Sequence, residues 1–221
     1  MDWDAIRSRE EARYRDGQSR LGTSGDPDRR QRQLTRMGNA ASGAGLAALM
    51  AGRDAESAAW LARAAARYRE SWDGAPAGSW GRPIGAMKAL VIAGDLSGSQ
   101  DAARWALEAG AEASDSPIGV YAAVLALLVV GRDDEAGSLA VTLRDRNDFP
   151  GPVADALVGL ALGDAGAYSA AADRVLASFE ARDDHLEDVP VADTVLALQS
   201  LAASRGLTAE LRESQLLPGG G

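Results

Sequence analysis

No cysteine occurs in the 221 residues, which excludes disulfides, thiolate nucleophiles and Cys-ligated zinc. Such a chain is compatible with a reducing compartment. Lysine occurs once, as Lys88, and arginine supplies the rest of the positive charge. Together with the abundance of alanine, that bias points to a GC-rich coding sequence and a bacterial source. Aromatic residues make up only 5% of the chain. A core so poor in large rings must be filled by close approach of helices bearing small side chains. The longest apolar run, Val120 to Val130, falls well short of the about 20 residues that cross a bilayer. The opening MDWDAIRSREEARYRD lacks the apolar stretch of a signal peptide. A soluble, cytoplasmic protein without a membrane role is therefore expected. No segment alternates with period two, so no strand is expected.

What is present is a recurring phrase. A small apolar stretch ends at a glycine beside Asp or Arg, and a second alanine-rich stretch follows. It occurs around Gly52, Gly94, Gly131 and Gly163, and more faintly around Gly206. Recurrence at this spacing is the mark of stacked helix pairs, each unable to bury its apolar face alone. The expected pairs span about 34–51 with 54–72, 83–93 with 98–113, 117–130 with a partner from Asp133 or Asp134, and a fourth from Pro150 or Pro152. A last helix is expected to open at Asp188–Val189–Pro190, with Asp188 as a possible N-cap. Ser116 followed by Pro117 is a helix-start signal. Residues 2–16 are expected to form a short helix ahead of a Gly- and Ser-rich linker. The expected organisation is an N-terminal arm and linker over 1–33, a helical domain over 34–214 and a flexible tail over 215–221, in which Leu216 and Leu217 can dock.

These units resemble tetratricopeptide repeats. The likeness rests on GRDDEA (131–136), with GDAGAYSAA (163–171) and GRDAESAA (52–59) as looser copies, and covers about 34–206. The Trp, paired Leu–Gly and Tyr of a complete first helix are missing, and the glycine spacing is uneven. The resemblance implies an all-α, right-handed superhelix of antiparallel helix pairs, an irregular solenoid that binds a peptide or partner helix in its groove. A small, acidic, Cys-free helical chain of this kind also looks like some immunity proteins of polymorphic toxin systems.

The formal net charge is −9. It is concentrated at the C-terminal end: residues 114–221 hold seven Arg against 17 acids, while 1–36 hold nine Arg against seven. Such a field favours basic protein or peptide partners and disfavours nucleic acid. The one dense basic run, Arg29, Arg30, Arg32 and Arg36, has no interleaved aromatic and reads as solvated.

Two interruptions of the repeat are candidate sites. GSWGRPIG (78–85) brings Trp80 and Arg82 to a helix start, with Trp72 nearby; Trp and Arg are favoured anchors at interfaces. ARDDHLEDVP (181–190) surrounds the single histidine, His185, with Asp183, Asp184, Glu187 and Asp188. This acidic loop is expected to steer a basic partner. A metal-dependent acidic enzyme site around His185 is the alternative, although the spacing is not that of an EF-hand and no GxSxG nucleophile elbow occurs. Phosphate-cradling glycine loops are absent. The expectation is a non-catalytic interaction module, with no cofactor or metal, binding through Trp72, Trp80, Arg82, Asp183, Asp184, Glu187 and Asp188. An immunity role against a basic toxin is a special case of it.

Overall fold

The structure, a computed structural model, describes residues 1–21 and 25–219. Among them are ten α-helices and no strand. They are α1 (Trp3–Leu21), α2 (Pro27–Met50), α3 (Asp54–Trp72), α4 (Gly81–Ile92), α5 (Leu96–Glu108), α6 (Pro117–Val129), α7 (Asp133–Arg144), α8 (Gly151–Ala161), α9 (Ala165–Glu180) and α10 (Asp193–Ala203). Single 3-10 turns at Ala111–Ala113 and Leu186–Asp188 lie in the connections. Helices adjacent in sequence pack in pairs along the chain, an arrangement compatible with a helical repeat.

The recurring glycine is a helix stop. At the end of α2, Gly52 is left-handed (φ 72°), and the N–H groups of Gly52 and Arg53 donate to the carbonyls of Leu49 and Ala48, both at 2.9 Å. This paired closure satisfies carbonyls that the helix leaves open. It recurs at Gly94, Gly131, Gly163 and Gly206. Starts are as local: Ser116 Oγ accepts from Gly119 N at 3.1 Å, and Asp164 Oδ1 from Ala167 N at 2.9 Å. These caps contribute about 1 kcal/mol each.

Small residues let the helices meet. Ala40, Ala41 and Ala44 of α2 and Ala64 and Ala65 of α3 are buried in one continuous core. Helix α6, apolar on every side, has its residues from Ala122 to Val129 buried and touches α4, α5, α7 and α8. That central position is what an all-round apolar helix requires.

Residues 1–21 and 25–33 pack onto the rest of the molecule. Helix α1 packs along α2, its Tyr14 ring meeting Trp60 edge-on at 5.4 Å between centroids. Helix α2 begins about two turns before Leu34, capped by Asp26, whose carboxylate accepts from Asp28 N at 3.0 Å. Residues 22–24 of the expected linker lie outside the described residues, as do the last two glycines. The tail is attached: Leu216 O accepts from Ala192 N at 3.0 Å, and Leu216 and Leu217 pack against the core.

Helix α10 starts later than expected. Residues 189–192 are non-helical, with Val189, Val191 and Ala192 buried, and it is Ala192, not Asp188, that holds the N-cap position. The chain there gains more by burying both valines than by starting the helix. Helix α10 packs on α4, α8 and α9, and the turn at 186–188 rests on α2. The segment after α9 thus folds back across the even-numbered helices.

Candidate functional site

Between the even-numbered helices and this returning segment lie two adjoining cavities of about 340 and 320 Å³. Both are lined by Asn39, Ser42 and Leu46 of α2, Lys88 of α4, Leu186 and Asp193. The first extends toward Tyr68 and the start of α4, from Gly78 to Arg82. The second extends toward Tyr121, Phe149, Val153, Arg182 and His185.

The sole lysine occupies the middle. Lys88 Nζ lies 2.6 Å from Asp193 Oδ2 and donates to Thr194 Oγ1 at 3.0 Å. Both ionic side chains are largely covered, so the pair ties α4 to the first turn of α10. Tyr68, from α3, reaches the cleft between two glycines. A Cβ on Gly38 would lie 2.7 Å from its ring, and one on Gly85 2.8 Å. Its hydroxyl donates to Asn39 Oδ1 at 2.9 Å, and Asn39 Nδ2 donates to Glu187 Oε1 at 3.1 Å. Burial, and then the charges of Asp193 and Glu187, push the Tyr68 phenol well above its ordinary value. Burial and then Asp193 do the same to Tyr121. Both remain neutral donors at physiological pH.

The residues singled out in sequence separate into four groups. Trp80 is buried, and Trp72 stands between Trp80 (5.6 Å) and Trp105 (5.5 Å), so the aromatic pair belongs mainly to the packing beneath the cleft. Arg82 lines the first cavity. Its Nε donates to Ser71 Oγ at 3.0 Å and its Nη2 to Gln31 Oε1. Glu187 is held within the molecule, by Arg13 at its carboxylate and by Arg9 Nη2 at its carbonyl, 2.7 Å away. Both Arg9 and Arg13 also bind the fully buried carboxylate of Glu10, at 2.7 and 3.2 Å. Asp183, Asp184 and Asp188 are exposed. Glu187 and Asp188 have left-handed backbones (φ 56° and 54°), a conformation that costs a non-glycine residue about 1 kcal/mol or more.

His185 is half-buried on the wall of the second cavity. Among the described residues, no group of three or more His, Cys, Asp or Glu side chains is placed to hold a metal ion. Nor is any described helix long and apolar enough to cross a membrane.

Sequence reasoning did not single out Asn39, Tyr68, Asp193 or Thr194, which belong to three separate stretches of chain. A signal for Lys88 was present: one lysine, in a chain that otherwise uses arginine, set in the apolar helix GRPIGAMKALVI.

Comparison with protein-family models, with curated proteins and with solved structures returned no match.

Proposed function

We propose that this protein is a non-catalytic binding module, built on an irregular, right-handed tetratricopeptide-like solenoid, that takes an extended peptide segment into the cleft. The glycine-closed helix pairs support the solenoid reading. The observation that carries the function is the pair of adjoining cavities with a shared polar floor at Asn39, Ser42, Lys88 and Asp193. Small volume and a few converging polar groups among apolar walls are the usual make-up of a binding cleft. An extended chain, slimmer than a helix of about 10 Å diameter, suits two cavities of this volume. A binding role also fits the commitment of Lys88 to Asp193 and Thr194, since a catalytic amine needs to be free of such partners.

A second reading, neutralisation of a basic toxin, draws on Asp183 and Asp184, which are exposed and make no ion pair among the described residues. The two readings separate on variants. A peptide array is probed with the full chain, and binders are remeasured with Ser42→Trp, which fills the floor common to both cavities, and with Asp183→Asn plus Asp184→Asn. Cleft binding predicts a loss of at least about tenfold for Ser42→Trp, with the melting temperature checked in parallel. Steering by the acidic loop predicts slower association for the double variant at low salt. Unchanged affinity in a folded Ser42→Trp protein would sink the cleft reading.

A further inference from the structure

The cleft runs against the charge of the molecule that contains it. The chain carries a formal −9, yet the residues lining the two cavities include Arg82, Lys88 and Arg182 against the single carboxylate of Asp193. Lys88 is paired with that carboxylate. Arg182 sits over the Phe179 ring at 3.9 Å.

Arg82 differs from the other partly buried arginines of this end of the molecule. Arg7, Arg53 and Arg67 each reach at least one glutamate. Arg82 makes its two hydrogen bonds to neutral oxygens, on Ser71 and Gln31, and has no carboxylate in ion-pair reach among the described residues. Burial alone acts on it, lowering its pKa from the ordinary arginine value. It remains charged at any physiological pH. A half-buried guanidinium without a counter-charge carries a desolvation cost that an anion would offset. Nη1 makes no hydrogen bond among the described residues, which leaves donor capacity for one.

The wall beside it suits the same ligand. Ser79, Trp80 and Gly81 at the start of α4 line the first cavity, and no side chain caps that helix. A Cβ at Gly81 would meet nothing within 4 Å, so the backbone there can be approached closely.

We infer that the first cavity holds an oxyanion, a carboxylate or phosphate group of the ligand, against Arg82 and the cationic end of the cleft. The inference rests on the cleft being the binding site and specifies the chemistry of what enters it. A peptide's terminal carboxylate and a free small oxyanion share this chemistry, and the test distinguishes them.

The full chain is titrated at constant ionic strength with sodium phosphate, with sodium acetate, and with an acetylated tripeptide ending in either a carboxylate or an amide, followed by backbone amide NMR. Saturable shifts are expected at Ser79, Gly81, Arg82 and Asn39. Arg82→Gln is expected to weaken the anion at least about tenfold, while Arg36→Gln, an exposed arginine away from the cleft, leaves it unchanged. Arg82→Lys keeps the charge and is expected to retain most of the phosphate affinity, which separates loss of the anion contact from loss of folding. A phosphate response without a tripeptide response assigns the free oxyanion as the source; preference for the free carboxylate over the amide assigns the chain end. The inference is overturned if Arg82→Gln binds as well as the unaltered protein, or if shifts are confined to residues 26–36. Equal, saturable binding of amide and carboxylate peptides that Ser42→Trp abolishes would overturn the anion while leaving the cleft reading intact. Absence of any saturable shift would overturn both.

Discussion

Tyr68 shows how much of this molecule is decided at single residues. Its ring fits only because Gly38 and Gly85 lack a Cβ, and its hydroxyl then meets Asn39. Gly85→Ala is expected to destabilise the protein by about 1–3 kcal/mol, the usual cost of forcing atoms into a packed interior. Gly81→Ala, where the added methyl meets nothing within 4 Å, should stay within about 0.5 kcal/mol. Urea denaturation of both variants checks the contrast; equal effects would mean that the ring is not clamped as described. Neither glycine stands out in the sequence, because a close approach depends on which ring faces it. The pairing of Lys88 with Asp193 is hidden for the same reason: the two residues are 105 positions apart and meet only when α10 crosses α4.

Elements were more legible than sites. The glycine stops, the Ser116–Pro117 start and the apolar α6 are local signals, and each is found where the pattern puts it. Helix α2 was placed late because Asp28 to Gln33 present polar side chains with no apolar period, although Asp26–Pro27 is itself a start signal. The non-helical stretch 189–192 is not legible in sequence because Pro190 suits a helix start and a non-helical segment equally well. A test at this scale concerns the attachment of residues 207–217. Hydrogen bonding from Ser214, and then the Arg212 guanidinium, hold the Glu180 carboxyl below its ordinary value of 4.5. A carboxyl lowered in the folded state stabilises it above the unfolded pKa, and that contribution is lost as pH falls through the folded value. The C-terminal segment should therefore loosen from α9 in acid before the helices melt. The Ala192 amide, which donates to Leu216 O, reports it directly. Its hydrogen exchange, corrected for intrinsic pH dependence, should accelerate below about pH 4.5, and at higher pH in Arg212→Gln. Protection that persists until global unfolding would contradict this.

For the molecule as a whole, the longest-range contacts tie the first helix to the turn after α9. Arg9 and Arg13 of the first helix hold Glu187, which also reaches Asn39, and the acids that sequence placed in an open loop include one built into the fold. A double-mutant cycle on Arg13→Gln and Glu187→Gln should give a coupling of about 0.5–1 kcal/mol, since one partner is half exposed. A coupling near zero would show the contact to be incidental.

That closure changes how the chain comes apart. An open array of repeats is held only by nearest neighbours, so its terminal units fray first and independently. Here the N-terminal helix is not terminal in that sense, because Arg9 donates to the carbonyl of Glu187, 178 positions away. Fraying from the N-terminal side must break the clasp, whose long loop costs entropy that grows only slowly with length, while the residues after 188 lie outside it and can loosen on their own. The clasp thus couples the first helix to the turn after α9, two places that a strictly nearest-neighbour array would leave independent.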